Sequence, residues 1–191
     1  MKKITLLLLA LFIKQTHVFA NCGGNGIFVY PNEVYLPANA LIMIEGYANS
    51  IKIIEGINGK HQAWLFSKYS RIKLKAIQNY SEQVSLTQTL LRPEKTPDPS
   101  ITYLLVIDSL PPEESLNRYV NVPGEGDSIR FRFSKPADTI KPVLFSSPRL
   151  ISKYDNPHFC TPSNYVKFSC PVIESSSFLV IATVKNITTG K

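Results

Sequence analysis

Histidines, cysteines and a few carboxylates are the residues of this chain on which chemistry could rest. His158-Phe159-Cys160 with Cys170 offers ligand types that zinc accepts. Tetrahedral zinc needs four donors at short spacing, and no fourth stands nearby, so no metal is expected. His61 follows a turn signal and begins an apolar run, which reads as a surface residue at a strand start. Glu113-Glu114 are neighbours in a proline-rich stretch. Adjacent side chains point apart, and a solvated loop does not raise a carboxyl pKa for acid work. Asp108 and Asp127 could meet in space but sit in no motif, and a glycosidase needs two carboxylates facing one groove. The chain has no Gly-x-Ser-x-Gly. Gly23-Gly24-Asn25-Gly26 lacks the Lys-Ser or Lys-Thr of a phosphate loop. No catalytic residue and no cofactor is therefore expected. Tyr47, Tyr69, Tyr80, Tyr119 and Tyr154 fall near strand ends or loops. Tyrosines in such places offer contact area and a hydroxyl at low entropic cost; their plainer role is the rim of a core.

The cysteines number three: Cys22, Cys160 and Cys170. In an oxidising compartment two of them should pair. Cys170 continues the phase of Val166 and Phe168, which should face inward, and Cys160 is ten residues earlier, so Cys160–Cys170 is the expected disulfide. Pairing of Cys22 with either remains an alternative. Cys22 is also the position a lipid anchor would use, but Asn21 precedes it where a lipoprotein signal needs a small residue.

The compartment is set by the first twenty residues. Met1-Lys2-Lys3 is a short basic start, Ile4 to Ile13 is almost unbroken apolar sequence, and Val18-Phe19-Ala20 ends in a cleavage-like pattern. This is the layout of a secretory signal peptide over residues 1–20, and it is too short for a membrane span. Loss of Lys2, Lys3 and Lys14 leaves 18 of the 21 Lys and Arg against 14 Asp and Glu, a net charge of about +4. The expected location is the periplasm, cell surface or extracellular space. No later run is long and apolar enough for a transmembrane segment. Asn79-Tyr80-Ser81 and Asn186-Ile187-Thr188 match the glycosylation pattern; the compact leader looks bacterial, which makes them chance matches.

The elements that must position these residues are strands. Short apolar or alternating runs recur at Gly26–Tyr30, Leu41–Tyr47, Ile51–Glu55, Ala63–Phe66, Arg71–Ile77, Gln83–Leu91 and Ile101–Ile107. Asn58-Gly59 is a hairpin signal between two of them. The densest basic stretch is Lys68, Arg71, Lys73 and Lys75. From Arg71 it alternates with Ile72, Leu74 and Ile77, which reads as the wet face of a half-buried strand. Absent aromatic interleaving and an exported location argue against nucleic acid. Leu110 to Gly126 reads as a surface loop, and Ser128–Phe133 as a final half-buried strand.

Two segments carry a resemblance. Leu91-Arg92-Pro93, a turn, then Tyr103 to Asp108 looks like a segment late in bacterial immunoglobulin-like domains. Pro31 to Leu41, with Val34 and Leu36 leading to Pro37 and Asn39, resembles their first strand and turn. The likeness covers roughly residues 24–134 and implies an all-β, antiparallel immunoglobulin-like sandwich over residues 21–134. The paired cysteines and buried tryptophan of antibody domains are not reproduced. A proline-containing linker (135–149) and a small or incomplete β unit (150–191) follow.

The expected function is an exported, non-catalytic binding or structural module of the cell envelope. Its partner would be a protein or a cell-surface polymer, met at sandwich-end loops or at an open strand edge. The alternatives are a subunit of a surface assembly completed by strand exchange, and an exported hydrolase with an unrecognised site.

Overall fold

The computed structural model of the chain describes residues 26–83, 86–119, 128–139, 142–156 and 163–173. Strand β1 (Gly26–Tyr30) pairs antiparallel with β3 (Ile42–Tyr47), and β3 with β6 (Leu86–Pro93). In these strands Ile27, Val29, Ile42, Ile44 and Leu91 are buried, the period-2 signature of a half-buried sheet. Strand β4 (Ala63–Phe66) lies between β5 (Arg71–Gln83) and β7 (Tyr103–Ile107), again antiparallel. Strand β9 (Arg130–Lys135) extends β7, and β2 (Tyr35–Pro37) adds to β9 in parallel. The two-residue β8 (Leu116–Asn117) adds in parallel to β1. One nine-stranded sheet results, ordered β2-β9-β7-β4-β5-β6-β3-β1-β8. The all-β expectation holds, apart from one short helix and a 3-10 turn. The fully antiparallel arrangement is corrected, because both edge strands pair in parallel.

The sheet curls around a single core. Strand β5 is long enough, at 13 residues, to serve two neighbours: Arg71–Leu74 pair with β4, and Leu74–Gln83 with β6. A register shift between Ala76 and Gln78 bends it where the partner changes, the usual consequence of an extra residue in one strand. Ile77 is 40% exposed, against the inward expectation, because alternation puts it on the side of Arg71, Lys73 and Lys75. Ile27, Ile44, Leu65, Leu74, Tyr103, Phe131 and Phe133 then meet in one apolar cluster. Arg118 closes the curl. Its guanidinium donates to the Pro31 carbonyl beyond β1 and, at 2.8 Å, to the Arg130 carbonyl of β9, and lies 4.6 Å from the Phe131 ring centroid.

Ile51–Glu55 is a helix (α1), not a strand. It sits against β3, burying Ile53 and Ile54. Gly46 permits this: a Cβ there would stand 2.6 Å from Ile54 Cγ1 and 2.7 Å from the Ser50 carbonyl oxygen. The Asn58-Gly59 turn forms, with Asn58 at φ 66°, but it connects α1 to β4 and so makes no β-hairpin. Of the expected Leu110–Gly126 surface loop, the described part, Leu110–Tyr119, is pinned to the sheet. Glu114 accepts two contacts from Ser50 Oγ (2.8 and 2.9 Å), and β8 follows.

Residues 135–139 are tied back to the turn that follows β2. The Ala38 amide donates to Lys135, and Asn39 exchanges hydrogen bonds with the Asp138 backbone at 2.6 and 2.9 Å. Beyond them β10 (Val143–Leu144) pairs with β13 (Val172–Ile173), and β11 (Arg149–Asn156) with β12 (Ser163–Ser169). Val166 and Phe168 of β12 are exposed, not inward as their phase suggested. Cys170 is half-buried; Cys22, Cys160, His158 and the signal segment lie outside the described residues, so the expected disulfide falls there too. No helix among the described residues is long and apolar enough to cross a membrane.

Candidate functional site

Two outer faces of the curled sheet concentrate polar and aromatic side chains. The first lies on β1, β3 and β6. Register places Phe28 beside Glu45, Glu45 beside Gln88, and Gln88 beside Tyr80 of β5. Glu45 is only 3% exposed. A buried carboxylate is costly without hydrogen-bond donors, and four neutral groups surround this one. Tyr119 Oη is 2.5 Å from Oε1, Tyr47 Oη 3.0 Å and Tyr30 Oη 3.5 Å; Gln88 Nε2 donates to Oε2 at 2.8 Å. Tyr47 and Tyr119 hydroxyls also touch at 2.7 Å. Each hydroxyl has one proton, and the shortest contact assigns that of Tyr119 to the carboxylate. The Tyr119 ring stacks on Phe28 (4.4 Å) and Tyr30 (5.3 Å).

These surroundings hold the phenols in their neutral form. Burial, then the Glu45 charge, pushes the Tyr30 hydroxyl up to about 12. Burial and its hydrogen bond to Glu45 raise Tyr119 as well. Such phenols are poor bases at neutral pH. The rings close over Glu45, so this face serves chiefly to hold the Leu116–Tyr119 segment on the sheet.

The second face lies on β7, β4 and β5. Register sets Val106 beside Trp64 and Trp64 beside Lys73; the next row is Leu104, Phe66 and Arg71. Lys75 stands opposite Arg92 of β6. Ile72 and Leu74 are buried between the outward Arg71, Lys73 and Lys75, as the alternation predicts. The Arg71 guanidinium carbon lies 3.7 Å from the Trp64 ring centroid, and its NH2 is 3.0 Å from Asp108 Oδ2. Trp64 Nε1 donates to the same oxygen at 2.7 Å. Asp108 thus fixes both members of the stack. Phe66 (47% exposed) and Tyr69 (78% exposed, with Lys68 Nζ 5.5 Å from its ring centroid) flank it.

No protein-family model, no curated protein and no solved structure matches this chain. Its chemistry must be read from its own residues.

The structure brings Tyr47 and Tyr119 together, with Tyr80 in the cross-strand row of Glu45 and Gln88 and its hydroxyl unpartnered. It places Tyr69 on the other face, and the Tyr154 side chain lies outside the described residues. His61 is buried, at 5% exposure, correcting its surface assignment. Its Nδ1 faces the Asp108 carbonyl at 3.2 Å, and its ring lies close beneath Gly56. Asp108 is committed to Arg71 and Trp64, and Asp127 lies outside the described residues. Asn79 of the first glycosylation match accepts a hydrogen bond from Thr89 at 2.9 Å. Among the described residues no group of three or more His, Cys, Asp or Glu could hold a metal ion. Sequence inspection missed Glu45, Gln88 and the pairing of Trp64 and Phe66 with the basic stripe. A polar Glu inside an apolar strand was the available signal for the first. The pairing needs cross-strand register, which no local pattern carries.

Proposed function

We propose that the chain is an exported, non-catalytic binding module of the cell envelope, built on an immunoglobulin-like sandwich. The support for the fold is the strand order. One continuous sheet, β2-β9-β7-β4-β5-β6-β3-β1-β8, curls around one core, so that its two halves can face each other across that core. The chain leaves β1 after Tyr30 and joins the opposite edge at β2 within a few residues, as when a first strand is shared between two sheets. The support for export is the basic and apolar leader of residues 1–20.

The observation that carries the binding reading is the β7–β4–β5 face. There exposed Phe66 and Val106 flank a Trp64–Arg71 stack that Asp108 already holds in place. A preordered aromatic and arginine platform loses little entropy on contact, and such residues dominate binding energetics. The proposed recognition uses a sheet face, where the sequence pointed to loops at a sandwich end or to an open strand edge. The test is sedimentation of the mature protein with the insoluble envelope fraction of its own cells. Co-sedimentation that Phe66→Ser abolishes supports the reading; equal sedimentation of both proteins contradicts it.

A second reading is favoured by exposed Val143, Leu144, Phe145, Leu150, Ile151, Val166 and Phe168. Apolar side chains this exposed mark interaction sites, and they suit a subunit whose C-terminal unit is completed by another chain. Light scattering tests this: a monomer at all concentrations excludes self-completion.

A further inference from the structure

We infer that the β7–β4–β5 face binds a carboxylated polysaccharide, a polymer of uronic-acid type. The inference rests on the binding reading above and names its partner. Charge and shape both point there. Arg71, Lys73 and Lys75 form a straight outward row on β5, extended by Arg92 across the register and by Lys68 beyond the strand start. Five residues of strand span about 13 Å at about 3.3 Å per step, a stripe suited to an extended chain rather than to a small molecule. Among the described residues Asp108 lies beside it, occupied by Arg71 and Trp64, and the Glu94 amide donates to the Lys73 carbonyl.

The neighbouring row, on β4, is apolar and aromatic: Trp64 and Phe66, one strand spacing of about 4.8 Å away. A sugar polymer offers both complements at once, apolar ring faces for Phe66 and Tyr69 and carboxylates for the cations. Arg71 already receives a carboxylate, from Asp108, while its guanidinium lies over the Trp64 ring. Its planar fork has further N–H donors for a second one. A nucleic acid would match the charge as well, but the leader sends the chain to a compartment where surface polymers are the anions within reach.

The experiment is affinity electrophoresis of the full mature protein through gels containing polygalacturonate, a neutral dextran, or single-stranded poly-dT. Polygalacturonate should retard the protein, dextran should not, and added salt should weaken retardation. Lys73→Glu/Lys75→Glu should lower the affinity about tenfold, and Phe66→Ala should lower it without changing the salt dependence. Unchanged melting of these variants keeps the comparison valid; Lys75→Glu alone, at an exposed position, serves if the double variant fails to fold. No retardation by polygalacturonate, retardation unaffected by the charge reversals, or stronger retardation by poly-dT would overturn the inference. Envelope sedimentation that still depends on Phe66 while polygalacturonate fails would sink this partner alone. Loss of both would sink the binding reading with it.

Discussion

Tyr119 Oη lies 2.5 Å from Oε1 of Glu45, a carboxylate that is 3% exposed at the middle of β3. The contact joins a residue just past the edge strand β8 to the interior of the sheet, 74 positions earlier in the chain. Tyr119→Phe keeps the ring stack on Phe28 and Tyr30 and removes only the donor. Loss of a hydrogen bond to a buried charge costs about 1–3 kcal/mol. Urea unfolding should show that loss. A change of less than a few tenths would mean that Glu45 is held by Tyr47 and Gln88 alone.

Alkaline pH should loosen the same cluster. The Tyr30 hydroxyl is raised to about 12 in the folded protein, against about 10 in an unfolded chain. A raised pKa contributes stability that is fully present below about pH 10 and is lost as pH rises toward 12. Melting temperature should fall across that window, and fall less in Tyr30→Phe. Identical alkaline profiles for the two proteins would show that Tyr30 ionises as freely in the fold as out of it.

The helix α1 depends on Gly46. Alanine would set its Cβ 2.6 Å from Ile54 Cγ1 and 2.7 Å from the backbone oxygen of Ser50. Backbone cannot step aside as a flexible side chain would, so overpacking should cost about 1–3 kcal/mol. Chemical denaturation of Gly46→Ala measures it, and a neutral outcome would mean that α1 shifts freely.

Removing packing from the centre of the curl should cost more. Leu65 is fully buried in the one apolar cluster, and Leu65→Ala should lose about 2–5 kcal/mol. By contrast Arg71→Gln, which breaks the half-exposed pair with Asp108, should change stability by less than about 1 kcal/mol. A calorimetric comparison of the two variants separates core from surface; similar losses would place Arg71 among the structural residues.

Much of the strand pattern was legible because alternation reports one-sided burial directly: Ile42 and Ile44, Ile72 and Leu74, and Ile129, Phe131 and Phe133 all face the core. The helix at Ile51–Glu55 was not legible, since five mostly apolar residues fit either period. Its helical state is set by packing on Gly46. His61 was misplaced because turn chemistry marks chain direction and not depth: Gly56 above it and the Asp108 carbonyl beside it bury the ring. The basic row was seen, but its aromatic partners were not. Trp64 and Lys73 are nine positions apart and meet only through the β4–β5 register.

The chain has a single tryptophan, Trp64, and it stands in the centre of the proposed face beneath Arg71. Its emission therefore reports binding without any label. Titration of the mature protein with polygalacturonate should change Trp64 fluorescence saturably, with the change reversed by salt and reduced in Lys73→Glu/Lys75→Glu. Unaltered emission at concentrations where the polymer demonstrably retards the protein would place the contact elsewhere and contradict the account.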